Sequence, residues 1–249
     1  METGSSNPKR TWRAINTILG RTERPGQSNS TALDFAKFFK EKVKKAQCDT
    51  ANAASPHFQE TTGEWLNEFE HVMEEEVVKL IASAPNKQSS LDPLPAKYLK
   101  KVSGDVACLL AHIFNRSFEN GYVSSKVKNA IVTPLPKKAG LNIDDSSNFR
   151  PISNFSLTSK ILERLVWSRL DVHLNRIGTI PSVQLAYRRH HLTETALAKV
   201  SSDIIMAADR GDVSLLALLD LSVAFDTVDH GILLQRLHTS HHINDLALD

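Results

Sequence analysis

The stretch VSLLALLDLSVAFDTVDH, residues 213–230, decides how this chain is read. Val213 to Leu221 is a nearly continuous apolar run that follows Gly211 and Asp212 and stops abruptly at Ser222. A run this short could be a buried strand or a piece of buried helix, but the Gly-Asp start and the polar end favour a central buried strand. Such a strand delivers Asp220 at its carboxyl end, ahead of a turn that carries Phe225 and Asp226. Asp229 and His230 then open a further helix.

Working outward, Thr193 to Arg210 repeats apolar residues at helical spacing (Leu197, Val200, Ile204, Ala208) and meets Gly211, a natural residue just past a helix end. Ser159 to Leu174 is a second amphipathic helix, with Ile161, Leu162, Leu165, Val166, Leu170 and Leu174 on its inner face. Ala130 to Leu135 is a short β-branched run interrupted by Pro134 and followed by Pro136, which reads as a strand at a sheet edge, and Lys137 and Lys138 follow it directly.

Further upstream, Lys97 to Glu119 predicts one helix with Leu99, Val102, Val106, Leu110, Ile113 and Phe118 inward and Gly121 beyond its end. Asn86 to Ala96 is an extended loop, because residues before Pro93 and Pro95 avoid the helical region. His71 to Ala84 places Met73, Val77, Leu80, Ile81 and Ala84 on one stripe, with Glu74, Glu75 and Glu76 at the positive end of the helix dipole. Ala32 to Lys45 is a basic amphipathic helix carrying Phe35, Phe39 and Val43. The first thirty residues form a polar leader with one short helix from Trp12 to Leu19. The fold class is α+β and rich in helix.

The chain has 249 residues, 41% of them hydrophobic and 23% charged, enough for a sizeable core and unlike disordered, collagenous or coiled-coil sequences. No apolar stretch approaches the roughly 18 residues of a membrane span, and the first thirty residues lack the apolar centre of a signal peptide, so a soluble intracellular chain is expected. Cys48 and Cys108 have no CxxC partner and are expected to be buried free thiols. The formal net charge of +2 hides a strong pattern. Residues 1–50 hold ten basic against five acidic side chains, 51–80 one against seven, 86–138 nine against three, 139–200 eight against five, and 201–249 two against eight. A basic middle beside an acidic end suits a polyanion held near carboxylates that bind a divalent cation, and solvated helix faces would produce the same pattern.

Three chemistries compete for Asp220. It could cap the helix that follows. It could be a phosphoaspartyl nucleophile, but that chemistry wants Asp-x-Asp, and Ser222 stands where the second aspartate belongs. It could hold magnesium against an incoming triphosphate, with the turn after it cradling the phosphates. The paired histidines 190–191 and 241–242 lack cysteine partners or HExxH spacing and are not read as metal ligands.

The run LLDLSVAFDTVDHGILLQRL, residues 218–237, resembles motif A of reverse transcriptases from non-LTR, LINE-type and jockey-like retrotransposons. SSLDPLPAKYLK from Ser89, KVKNAIVTPLPKKAG from Lys126, NFRPISNFSLTSKILERL from Asn148 and QLAYRRHHLTETAL from Gln184 resemble the family's successive finger motifs, in its order. KRTWRAINTILGR, residues 9–21, is similar to the connector before the polymerase. The resemblance implies a right-hand polymerase fold divided into a leader (1–63), fingers (64–190) and the start of a palm (191–249) that is cut short after motif A. It implies Asp220 as a catalytic carboxylate and metal ligand, the Leu221 carbonyl as a second ligand, and magnesium as cofactor. The backbone amides of Val223 and Ala224 would face the triphosphate, and Phe225 would be the ring that excludes a 2′-hydroxyl. Arg150, Lys137 and Lys138 would bind nucleotide phosphates, and Gln184, Tyr187 and Arg188 would shape the template and nucleotide pocket. RNA template, DNA primer and deoxynucleotides are the implied partners, and a nuclear, membrane-free location is implied with them.

The sequence departs from that family in two places. Val127 stands where a tryptophan is common, and the aromatic-x-Asp-Asp hairpin that supplies the second metal-binding motif is absent. Its single Asp-Asp pair, Asp144–Asp145, lacks the aromatic, precedes motif A and reads as a solvated loop. The expectation is an N-terminal piece of a reverse transcriptase, without the rest of the palm, the thumb or an endonuclease, that does not polymerise alone. The alternative is a non-catalytic nucleic-acid-binding remnant.

Overall fold

In the computed structural model, residues 15, 17, 18, 29–87, 89–138, 140–219 and 225–249 are described. Among them run α1 (Ala32–Thr50), α2 (Glu74–Ser83), α3 (Ala96–Leu99), α4 (Ser103–Glu119), α5 (Ser125–Lys128), β1 (Ala130–Pro136), β2 (Phe149–Phe155), α6 (Leu157–Ile177), α7 (Thr193–Asp209) and α8 (His230–His241). The architecture is helix-rich with one small two-stranded antiparallel sheet, β1–β2. The short helix expected from Trp12 lies mostly outside the described residues.

The core forms where three amphipathic helices bring their apolar stripes together. Val77 and Ile81 of α2, Ala107, Leu110, Ala111, Phe114 and Phe118 of α4, and Leu157, Ile161, Leu162 and Leu165 of α6 make one buried cluster. Burying each large apolar side chain is worth about 1.5–3 kcal/mol, so these helices carry most of the fold's stability. Polar clamps set the chain leading into α2. The Asn115 amide accepts from the Val72 N–H (2.6 Å) and donates to the Val72 carbonyl (3.1 Å), as a neighbouring strand would. Arg169, its side chain only 11% exposed, donates to the carbonyls of Glu70 (2.7 Å) and His71 (3.0 Å) and forks onto Glu76 (3.0 and 3.3 Å).

Helix ends follow local chemistry. Ser156 caps α6, accepting from the Ser159 N–H at 3.1 Å, and Gly178 ends it in the left-handed region at φ +65°. Asp229 caps α8 by accepting from the Ile232 N–H at 3.0 Å, as its place before His230 predicts. The chain after α8 returns to the start of the domain. Leu66 and Ile243 form a parallel bridge, the Leu66 N–H donates to the His242 carbonyl (2.8 Å), and buried His173 of α6 donates through Nε2 to the His241 carbonyl (2.8 Å). His242 donates through Nε2 to the Thr61 carbonyl at 2.8 Å, and Thr179 pairs with His241 Nδ1 at 2.8 Å.

Several expectations are corrected. The single helix from Lys97 is divided: α3 passes into a 3-10 turn at Lys100–Val102 before α4 begins at Ser103, where Ser-Gly is a poor helix continuation. Of the expected inner stripe, Leu110 and Phe118 are buried while Val102 and Ile113 are exposed, and the buried face takes in Ala107, Ala111 and Phe114 instead. Met73 is exposed because it stands at the cap of α2 rather than on its buried face. Cys48 and Cys108 are exposed, not buried. Cys108 lies beside the α4 stripe, where a hydrogen bond to Glu74 holds its thiol above the ordinary range.

The largest correction concerns 213–219. These residues have extended or irregular backbone without a ladder partner, and Val213, Leu215 and Leu219 are 99%, 96% and 94% exposed. A strand exists only by pairing, and the sheet here consists of β1 and β2 alone among the described residues. The apolar stripe of α7 is exposed for the same reason: none of its residues is buried. Conversely, β2 was missed in the sequence because Pro151 and Asn154 break the strand pattern of FRPISN.

Candidate functional site

The β1–β2 hairpin turns two separate motifs into one surface. Its register pairs Ile131 with Asn154, Thr133 with Ile152 and Leu135 with Arg150. Directly opposed residues share a face, so these six line one exposed side, and Arg150 stands near the end closed by the connecting loop. There the Lys137 N–H donates to the Asn148 carbonyl at 2.8 Å, which keeps Lys137 and then Lys138 beside Arg150 in the backbone path. All three cations are exposed, and among the described residues neither Arg150 nor Lys138 enters an ion pair. Pro134 faces Pro151 in the register; neither can donate to a ladder, which a two-stranded ribbon with two free edges tolerates.

The opposite face of the hairpin is anchored. Phe149 is buried there, with Phe35 of α1 packed edge-on against it at 4.8 Å between centroids and 68° between planes. The connecting loop uses both of its aspartates structurally. Asp145 accepts from the Ser147 N–H (2.8 Å) and hydroxyl (2.7 Å), bonds that hold its carboxyl below the ordinary range, and Asp144 accepts from the Asn29 N–H at 3.1 Å. The expected solvated-loop role of this pair is what the structure has.

Three motifs converge at the hairpin's root. The Ser159 hydroxyl donates to the Val127 carbonyl at 2.6 Å, and Asp92 Oδ1 accepts from the Leu157 N–H at 2.6 Å. Sequence reading missed Asp92; its signal was an aspartate before proline with no helix of its own to cap. Beside it a cavity of about 240 Å³ is lined by Lys87, Ser89, Ser90, Thr133, Asn154 and Lys160, on the same hairpin face as Arg150.

The other expected site residues meet elsewhere. The Gln184 N–H donates to the Pro181 carbonyl (3.0 Å), and Arg188 reaches the same carbonyl at 3.4 Å, forming a turn that leads through Tyr187 at φ +59°. Tyr187 then stands edge-to-face on Phe225, with centroids 6.1 Å apart and planes at 87°. The structure therefore joins the Gln184–Arg188 segment to Phe225 through one aromatic contact. Asp220, Leu221, Val223 and Ala224 lie outside the described residues. Among the described residues no group of three or more His, Cys, Asp or Glu could hold a metal ion, and no helix is long and apolar enough to cross a membrane.

Residues 135–244 match the model of the family described as reverse transcriptase (RNA-dependent DNA polymerase). An RNA-directed DNA polymerase from the mobile element jockey of Drosophila melanogaster is 31% identical over 163 residues, 65% of this chain and 18% of its own length. A probable RNA-directed DNA polymerase from transposon BS of the same species is 28% identical over 164 residues, covering 66% and 18%. One from its transposon X-element is 27% identical over 151 residues, covering 61% and 16%. The chain thus spans less than a fifth of the length of these relatives. Over residues 135–244 the chain is similar to the reverse transcriptase family, and these relatives are RNA-directed DNA polymerases of mobile elements.

Proposed function

We propose that the chain supplies the fingers (64–190) and the opening of the palm (191–249) of an RNA-directed DNA polymerase, behind a leader (1–63). The observation that carries this reading is the β1–β2 hairpin, which places Arg150 opposite Leu135, with Lys137 and Lys138 following in the backbone path. On this exposed surface Asp145 of the same loop feels the charge of Lys137, while Arg150 and Lys138 enter no ion pair among the described residues. A planar guanidinium with two ammonium groups beside it is a receptor for the triphosphate of a deoxynucleotide. In this reading Phe225 would bar a 2′-hydroxyl, the amides of Val223 and Ala224, which lie outside the described residues, would face the phosphates, and Gln184, Tyr187 and Arg188 would border the nucleotide and the RNA template. Magnesium, when bound, would neutralise charge developing on the phosphates. The described residues do not make a two-ion centre, and the donors in this reading, Asp220 and the Leu221 carbonyl, lie outside them.

The 249-residue chain carries one of the two carboxylate motifs such chemistry requires, so it binds primer, template and nucleotide without extending the primer. Primer extension and RNA-binding assays test this on one preparation. The expected result is RNA binding that weakens steeply with salt and no extension with magnesium and deoxynucleotides. Robust extension that disappears in Asp220→Ala would refute the requirement for a second motif, and failure to bind primer–template at low salt would refute the polymerase reading. A second reading, a non-catalytic nucleic-acid-binding remnant, is favoured by one observation: residues 213–219 have no sheet partner among the described residues.

A further inference from the structure

We infer that Tyr187 is a positioning residue for Phe225 and through it sets discrimination between deoxy- and ribonucleotides; this rests on the proposed role of Phe225 as the ring beneath the sugar. The contact is an edge-to-face pair, 6.1 Å between centroids at 87°, between residues 38 positions apart. It does not serve the core: Tyr187 is 78% and Phe225 77% exposed, so burial does not explain why the two rings meet. Tyr187 is also held at φ +59°, a left-handed conformation that costs a bulky residue free energy and recurs where a side chain must be aimed. The chain on either side of it is tied to the Pro181 carbonyl, by the Gln184 N–H before it and by the Arg188 side chain after it.

A ring can exclude a hydroxyl only if it does not swing away. Phe225 follows directly on 220–224 and has two rotatable side-chain bonds, so an exposed ring there is free to turn unless a neighbour blocks it. The perpendicular contact with Tyr187 restricts how far the Phe225 ring can swing. An edge-to-face aromatic pair is worth enough to bias a side-chain equilibrium by about 2- to 12-fold, which sets the size of the effect.

The test uses the full chain with magnesium, comparing its affinities for dATP and ATP, and a ¹⁹F spectrum after incorporation of 4-fluorophenylalanine, with the residue-225 resonance assigned by Phe225→Leu. Tyr187→Ala is expected to shift that resonance and to cut the dATP/ATP preference by about 2- to 12-fold, chiefly through tighter ATP binding, while Tyr187→Phe, which keeps the ring, retains both. Phe225→Ala abolishes the preference. If Tyr187→Ala leaves the preference intact while Phe225→Ala removes it, the positioning role is overturned and the role of Phe225 stands, whether or not the resonance moves. If Phe225→Ala leaves the preference unchanged, or neither nucleotide binds, the role of Phe225 is itself wrong and the inference falls with it.

Discussion

Replacing Arg169 by alanine removes the side chain that fastens the chain entering α2 to α6, and its cost follows from the partners. The carbonyls of Glu70 and His71 lose a charged donor; both residues face solvent, so water replaces part of each bond and about 1 kcal/mol is lost per carbonyl. The ion pair with Glu76 is half open, its acidic side chain 40% exposed, and contributes about 1 kcal/mol or less. The guanidinium also lies 5.6 Å from the centre of the Phe118 ring, an attraction of about 0.5–1 kcal/mol. Arg169→Ala should therefore destabilise the fold by about 3 kcal/mol, roughly a 1 M fall in the urea midpoint at an unchanged slope. Arg169→Lys, which cannot fork, should lose about half of that, and Glu76→Gln no more than about 1 kcal/mol. An Arg169→Ala loss below about 1 kcal/mol, or a Glu76→Gln loss equal to it, would show that the carbonyl clamp is not what holds this segment.

Three further outcomes are expected. Arg150→Ala should weaken deoxynucleotide binding about tenfold or more in calorimetric titration, with Arg150→Lys intermediate, whereas undiminished binding would remove the hairpin from the nucleotide site. Asp92→Ala should speed amide exchange at Leu157 and cost about 1–3 kcal/mol, and unchanged protection would mean that the 2.6 Å bond is not formed in solution. His241 is held below its ordinary value of 6.5, first by burial and then by Arg236, His173 and His242. The folded chain thus takes up its proton less readily than the unfolded one, so this contribution is complete above about pH 6.5 and is lost as the pH falls toward the folded value. The melting temperature should drop on going from neutral pH to pH 5, less so in His241→Gln, and an identical drop in that variant would assign the effect to other groups.

Much of the helical frame was legible because its signals are local. α2 and α6 announce themselves through apolar spacing, the acidic first turn of one and the Ser and Gly caps of the other. The hairpin was half legible: β1 has the β-branched pattern of a strand, while β2 becomes one only because β1 lies beside it. Residues 213–219 fail in the opposite sense, since an apolar run specifies that it should be buried but not by what. Within the candidate site, Arg150 and the two lysines could be placed by motif. Asp92, and the meeting of Tyr187 with Phe225, depend on contacts spanning 65 and 38 positions that no local pattern encodes.

α6 touches both ends of the domain. Its first turn holds the root of the hairpin through Ser156, Leu157 and Ser159, and its fifth turn binds the His241 carbonyl through His173. Twenty-one helical residues without proline or glycine make a rod about 30 Å long that bends little. The helix is therefore a lever: a tilt of about 4° at the hairpin would carry the far end by about 2 Å, more than the hydrogen bonds at the histidines can absorb. A shift at the hairpin would then be felt as loosening or tightening of the chain around Thr61 and Leu66 at the other end.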